Sequence, residues 1–411
     1  MPTVPTSVRS SARERWLIEL SHELRVLDAA SLLRRPVTLD AVDGPVVRID
    51  GRRLVSWSSN DYLGLSTHPA LAEAAASAAV AWGVGARASR LLAGTTRWHA
   101  LLEDRLAAWF GSEAAAIYPS GYLANLGALG ALLDNRDVVL VDRLAHASLF
   151  DAARASRARL RVFRHNDVAH VATLLSRATQ ARRRVIVTEG AFSMEGDQAP
   201  LAELVETADA HEAVVYLDDA HGAFVLGAQG RGAPEAAGLS HERLLYMGDM
   251  GKALGCQGGF VVGPHVLIDY LRNRSRPFIY TTALAVPVAA AAVAALELLD
   301  REPQRRALLW ERATRLHARL ASFVPLSSRV SHIVPVVVGE TARALELARR
   351  AWEDGMWTPA VRPPTVPEGS ARLRLSVTAL HTESHIDALA HALQRALPLR
   401  DGRRHSFARA P

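Results

Sequence analysis

Short apolar runs closed by polar or glycine-bearing turns recur through the middle of the chain and alternate with stretches of helical spacing. Ala114 to Tyr118, Val138 to Val141, Leu160 to Phe163, Val185 to Val187, Glu212 to Leu217 and Arg243 to Met247 are apolar at successive positions and carry β-branched or aromatic residues. They read as strands buried on both faces. Such strands separated by helix-length segments imply a mostly parallel sheet with helices on both faces. Open α/β sheets bind ligands at the carboxyl ends of their strands. The residues emerging there are Ser120-Gly121-Tyr122, Asp142 with His146, His165-Asn166-Asp167, Thr188 to Ser193, Asp218 with His221, and Gly248 to Gly255.

The flanks read differently. Trp16, Leu17, Leu20, Leu24 and Leu27 give residues 11 to 33 helical spacing, which Arg34-Arg35-Pro36 stops. Asp43-Gly44-Pro45 and Asp50-Gly51 punctuate two short strands, a hairpin-like arm. An Ala-rich helix over 69 to 82 ends at Gly83-Val84-Gly85, and His99 to Phe110 resumes helical periodicity. The glycine-flanked loop Ser89 to Gly94 between them fits either a phosphate cradle or a plain inter-helix connection. After Thr281-Thr282, a helix of about 286 to 300 leads to a smaller part. That part reads as a helix over 304 to 321, a strand at Ile333 to Val338, a helix from Thr341 to Asp354, two further strands ending with Arg372 to Val377, and a last helix, His385 to Leu397. The reading divides the chain into an N-terminal helix and arm (1–50), a large domain (51–285), a smaller α+β domain (286–398) and a disordered Arg-rich tail (399–411). No solenoid repeat is visible.

Composition narrows the function classes. Among 411 residues, 49% are hydrophobic and 22% charged, the balance of a globular enzyme with ample core. The single cysteine, Cys256, excludes internal disulfides and a multi-thiolate metal site, which suits a reducing cytoplasm. The first residues lack the apolar core of an export signal. The Ala-rich run Ala283 to Leu299 is broken by Pro287 and short for a bilayer, so it predicts a buried helix rather than a membrane span. A net charge of +6 and a pI near 9.9 fit an acidic ligand or non-specific nucleic-acid binding. The arginines are dispersed, and the compact run Arg182 to Arg184 abuts a strand, which argues against nucleic acid.

Candidate chemistry centres on Lys252, the only lysine in the chain. An acid, a histidine and a lysine at neighbouring strand ends are what pyridoxal phosphate asks of a protein: an amine for a Schiff base, a carboxylate to keep the pyridine nitrogen protonated, and a donor for the phenolic oxygen. Taken singly, Asp218-Asp219-Ala220-His221 also fits a solvated loop, and Gly251-Lys252 a turn. A strand, a glycine turn and a helix start at Pro119 to Leu123 would present backbone N–H groups to a phosphate. Ser120 as an ordinary N-cap explains the same residues.

The segments SNDYLGLSTHP (59–69), GARASRLLAGT (85–95), YPSGYLANLGAL (118–129), DRLAHASLFDA (142–152), HNDV (165–168), VTEGAFSMEGDQAPL (187–201), LDDAHGAFVLGAQGRG (217–232) and RPFIYTTAL (276–284) resemble the α-oxoamine synthases, collinearly from about residue 30 to 395. These are fold-type I pyridoxal phosphate enzymes. Arg362-Pro363-Pro364-Thr365-Val366-Pro367 and Ala371 to Leu375 resemble the branch that condenses L-alanine with a pimeloyl thioester of coenzyme A or acyl carrier protein.

The resemblance implies a homodimer with shared active sites and these roles. Lys252 would carry the cofactor and act as general base; Asp218 would pair with the pyridinium nitrogen; His221, with Ser193 nearby, would bond the phenolic oxygen; and His146 would lie over the ring. Gly121 and Tyr122 would offer amides to the phosphate, and Thr281 or Thr282 would reach the neighbouring subunit's phosphate. Arg362 would grip the amino-acid carboxylate, with Thr365, Asn60 and, in the acyl site, Arg34 beside the substrate. Three positions depart from the family pattern: Ala285-Val286 replaces Pro-Pro, Arg87 replaces a small residue, and Asp249 replaces a threonine that bonds the cofactor phosphate. A carboxylate about 4 Å from a phosphate charge costs roughly 4 kcal/mol at an effective dielectric of about 20, so Asp249 predicts weakened cofactor affinity. A related synthase using glycine or serine with another acyl thioester, or a non-catalytic binding or scaffold paralogue, are the other readings.

Overall fold

The computed structural model describes residues 11–397; the extreme N-terminus and the Arg-rich tail lie outside the described residues. Helix α1 (Ala12–Ala29) starts at a capping box in which the Ser11 side chain accepts from the Glu14 N–H and the Glu14 side chain accepts from the Ser11 N–H. It buries none of its residues. The arm that follows is a three-stranded antiparallel meander, β1 (Ala41–Asp43), β2 (Val46–Ile49) and β3 (Arg52–Ser56), where two strands were expected. The residues after Gly51 extend it because Leu54 and Ser56 alternate inward. A domain boundary after residue 50 therefore falls in the β2–β3 turn.

Helices α2 (Pro69–Trp82) and α3 (Arg97–Phe110) flank the loop containing Ser89 to Gly94. That loop is fixed from within. Arg90 Nη1 lies 2.8 Å from Glu103 Oε1, the Gly94 N–H donates to Ser89 O at 3.0 Å, and Ser89 pairs with Thr282. It is an inter-helix connection. Arg87 within it takes a left-handed φ of 69°.

The central sheet is built from β4 (Ala114–Tyr118), β5 (Val138–Asp142), β6 (Arg159–Phe163), β7 (Arg184–Glu189), β8 (Val214–Asp218), β9 (Leu245–Asp249) and β10 (Gly259–Gly263), in the order β4-β10-β9-β8-β7-β5-β6. Six strands run parallel, and β10 is antiparallel to both β4 and β9. The interleaved helices are α4 (Gly121–Leu132), α5 (Ala147–Ala155), α6 (Val168–Ser176), α7 (Leu201–Ala210), α8 (Ala233–Ala236), α9 (His265–Arg274), α10 (Arg276–Tyr280) and α11 (Val286–Arg301). Strand alternation splits the core in two. Ile117, Leu140, Ile186, Leu217 and Phe260 face α3, α6, α7 and α11, whereas Ala116, Val141, Val187, Tyr216 and Met247 face α4, α5, α9 and α10. Fully burying a large side chain of this kind stabilises the fold by about 1.5–3 kcal/mol. The predicted buried Ala-rich helix is α11, with Ala289 to Val293 inside. Among the described residues no helix is long and apolar enough to cross a membrane.

The C-terminal part contains α12 (Gln304–Leu320), β11 (Ile333–Gly339), α13 (Thr341–Glu353), β12 (Met356–Trp357), β13 (Ala360–Val361), β14 (Ala371–Ser376) and α14 (Glu383–Ala396). Strands β11, β14 and β13 form an antiparallel sheet, while β12 pairs parallel with β3 and so ties the N-terminal arm to this part. The tie continues where the Ser376 N–H donates to Trp57 O at 2.7 Å and the Ala379 N–H to Tyr62 O at 2.8 Å. These bonds bring β14 against residues 57 to 62.

Candidate active site

Sheet register gathers the acids. Glu189 ends β7 opposite Asp218, the last residue of β8, and Asp249 ends β9 one strand over. The buried Asp218 carboxylate accepts from Asn125 Nδ2 at 2.7 Å and from the Ala220 N–H at 3.0 Å. Asn125, on α4, also donates to Ser148 Oγ at 2.9 Å and accepts the Tyr216 hydroxyl at 2.8 Å. Ser148 Oγ in turn lies 2.8 Å from His146 Nδ1, so a continuous polar chain runs from Asp218 to His146. Glu189 sits behind it, accepting the N–H groups of His146 at 2.6 Å and Ser193 at 3.2 Å. Burial, then the Asp218 charge, pushes the Glu189 carboxyl well above the carboxylate range. The other acid of the pair, Asp219, turns away to accept from the Ala233 N–H and the Tyr246 hydroxyl, and burial pushes it up to about 7.

A second group meets His221. Its Nδ1 lies 2.6 Å from the Tyr62 hydroxyl, which also bonds Asn60 Oδ1 at 3.2 Å and receives Arg374 Nη2 at 3.0 Å. Arg374, on β14, donates to Asn60 Oδ1 at 3.1 Å and to the Ser193 carbonyl as well. Burial, and then the positive charges of Lys252 and Arg374, hold His221 well below the usual histidine range. Its imidazole is neutral near pH 7, with one nitrogen committed to Tyr62.

Lys252 follows β9. Its charge acts on Glu189, Asp219, His221 and Asp249, and the Asp218 charge acts on three of these four, so the lysine lies within electrostatic reach of the acids at the strand ends. At the far end Ser120 caps α4, its Oγ accepting the Leu123 N–H at 3.2 Å. A Cβ on Gly121 would lie 2.3 Å from Asp249 Oδ2, and the Gly251 N–H donates to Asp249 Oδ1 at 2.6 Å. The exposed Tyr122 directs its hydroxyl to Asp151 at 2.6 Å. The donor set fits a pyridoxal-type ring: amine, buried hydrogen-bonded acid, neutral imidazole and a histidine beside them. The amide cradle at α4 fits a phosphate in kind, with a carboxylate of the chain itself lying in it.

The structure thus brings together Lys252, Asp218, His221, His146, Ser193, Asn60, Gly121 and Asp249. It places two predicted sets elsewhere. Arg34 Nη2 donates to Pro363 O at 3.0 Å and to Thr365 Oγ1 at 3.4 Å, while Arg362 Nη2 donates to Leu33 O at 2.6 Å. These three residues interlock near the surface, and among the described residues none is bonded to the Lys252 group. Thr281 and Thr282 lie at the end of α10 against Ser89, again without a bond to that group. Asn125, Tyr62, Glu189 and Arg374 were not singled out from the sequence. Each is a polar residue in an otherwise apolar or buried element, which is the available signal.

Over residues 52–393 the chain matches the family described as aminotransferase class I and II. The 8-amino-7-oxononanoate synthase of Anaeromyxobacter dehalogenans is 48% identical over 377 residues, covering 92% of this chain and 94% of that protein. A serine palmitoyltransferase from Sphingomonas wittichii overlays with a TM-score of 0.87 at 30% identity, covering 94% of this chain and 98% of that one. An 8-amino-7-oxononanoate synthase from Francisella tularensis overlays with a TM-score of 0.72 at 27% identity, covering 84% and 96%. Fold and site define the fold-type I class of pyridoxal phosphate enzymes. Within it, the extent of the match to curated relatives is decisive: the chain belongs to the α-oxoamine synthase family.

Proposed function

We propose that the chain makes 8-amino-7-oxononanoate from L-alanine and a pimeloyl thioester, with pyridoxal phosphate as cofactor. The observation that carries the reading is the placement of the chain's one lysine, half-buried just after β9, with the buried Asp218 and the neutral His221 following the neighbouring strand β8, in a chain 48% identical to a protein of that activity. Structural overlays score higher with serine palmitoyltransferase, but overall shape is shared across the family, and 48% identity outweighs 30% in choosing the branch. The overall reaction breaks the alanine Cα–H bond and joins Cα to the acyl carbon. The thioester C–S bond breaks to release the thiol, and loss of the carboxylate as carbon dioxide is followed by return of a proton to Cα.

Bound in this site, pyridoxal phosphate supplies an electron sink for loss of the α-proton and of carbon dioxide. Lys252 would hold it covalently and, as a free amine, would take the α-proton. Asp218, fixed by Asn125 and the Ala220 amide, would pair with the ring nitrogen. Nδ1 of the neutral His221 is engaged by the Tyr62 hydroxyl, which would leave Nε2 to bond the phenolic oxygen beside Ser193. His146 covers the ring face. Gly121 and Tyr122 direct amides at the phosphate, and Thr281 and Thr282 reach the phosphate of a second copy. Alanine's carboxylate falls to Arg374 with Asn60, which already share the network of His221. Arg362, Arg34 and Thr365, at the surface, meet the acyl substrate.

A second copy also answers for α1. Trp16, Leu17, Ile18, Leu20, Leu24 and Leu27 are all exposed on it, and an 18-residue helix with no residue buried among the described residues fits a partner surface. The test of function is incubation of the cofactor-loaded protein with L-alanine and pimeloyl-coenzyme A or pimeloyl-acyl carrier protein. Release of carbon dioxide and 8-amino-7-oxononanoate supports the reading. Turnover only with glycine or serine and another acyl thioester replaces it.

A further inference from the structure

We propose that Asp249 is an internal occupant of the phosphate cradle, so that the apoprotein carries its own anion where a phosphorylated cofactor must place its phosphate. The proposal rests on the cofactor reading above and extends it to how the holoenzyme forms.

The placement follows from sheet register. Gly259 on β10 pairs with Asp249 on one side and with Tyr118, at the end of β4, on the other. A Cβ at Gly259 would stand 2.6 Å from the Gly121 Cα, so only glycine lets the start of α4 come this close to β9 and β10. The Asp249 side chain fills the remaining gap. Its Oδ1 accepts the Gly251 N–H at 2.6 Å, its Oδ2 lies against Gly121, and the Gly121 amide helps hold its charge. The groups whose charge acts on it are Lys252 and Asp218, and it acts in turn on the Tyr62 hydroxyl. The positive end of α4 and two amides are therefore already satisfied by a carboxylate.

Two anions cannot share those donors without strong repulsion. A phosphate entering the cradle must displace the carboxylate or find it protonated. Burial favours the second route by raising the Asp249 carboxyl above its ordinary range, against Lys252 and the Gly251 amide, which favour the charged form. An aldehyde without a phosphate makes no such demand. Holoenzyme formation is thus a competition between a side chain and the cofactor, and the same ring without its phosphate escapes it.

The experiment titrates apoprotein with pyridoxal phosphate and, separately, with pyridoxal, following the visible absorbance of the lysine-bound aldehyde. The proteins are the natural chain, Asp249→Thr and Asp249→Asn. Asp249→Thr should tighten pyridoxal phosphate about tenfold or more while shifting pyridoxal less than about threefold, and Asn should behave in the same sense. Both apo variants should melt below the natural apoprotein, having lost the charged, two-oxygen acceptor of two amides, and should gain more in Tm on adding pyridoxal phosphate. Unchanged or weaker pyridoxal phosphate binding in both variants overturns the proposal, as does equal tightening for both aldehydes. If neither aldehyde reaches Lys252 in any of the three proteins, the cofactor reading itself fails and the proposal falls with it.

Discussion

The role proposed for Asp218 needs a fixed carboxyl group, and Asn125 is the side chain that donates to it. A hydrogen bond to a charged group contributes about 1.5–3 kcal/mol. Asn125→Ala should therefore lower kcat by roughly tenfold to a hundredfold with the cofactor still bound, and Asp218→Asn should leave bound cofactor with little turnover. An Asp218→Asn enzyme of full activity would refute the role of that acid. The two guanidinium sites separate kinetically. Arg374→Lys should raise the alanine KM and leave the thioester KM nearly unchanged, whereas Arg362→Lys should do the reverse; steady-state kinetics with each substrate varied decides. Lys252, Asp218, His221 and His146 were legible in the sequence because each follows an apolar strand and their combination has few chemical uses. Arg374 and Tyr62 were not, because their meeting depends on β14 lying against residues 57 to 62, a contact between segments some three hundred positions apart.

At the level of elements, short parallel strands were readable because burial on both faces leaves an unbroken apolar run. Strand β10 was not: Gly259 to Gly263 has three apolar residues between glycines and reads as a turn, yet it seats Asp249 beside α4. The β3–β12 pairing was equally hidden, since two residues carry no period. The segment after β6 illustrates an element held by charge. His165 places Nδ1 2.9 Å from Asp142 and Nε2 2.9 Å from Asp197, joining the end of β5 to the loop before α7. Burial opposes the charged ring, but these two carboxylates outweigh it and push His165 up to about 10. A histidine raised above its unfolded pKa of about 6.5 contributes stability that is complete below that pH and is lost as pH rises through 10. The stability difference between the natural chain and His165→Gln, from denaturant unfolding at pH 6 and pH 10, should shrink at the higher pH. A constant difference would assign His165 to packing alone.

For the whole molecule, the proposed homodimer would use the exposed apolar face of α1 and would bring Thr281 and Thr282 to the neighbouring site. Mixing inactive Lys252→Ala with a Thr281→Ala, Thr282→Ala double variant should regenerate activity, because a heterodimer assembles one site with both lysine and threonines intact. Recovery absent after confirmed subunit exchange would place each site within one chain. Every assignment finally depends on Lys252, and with no other lysine in the 411 residues the measurement is unambiguous. Protein supplied with pyridoxal phosphate, reduced with borohydride, digested and examined by mass spectrometry should carry a pyridoxyl group on the peptide containing Lys252. A protein that remains unmodified there, or carries the label only at its N-terminal amine, would contradict the account.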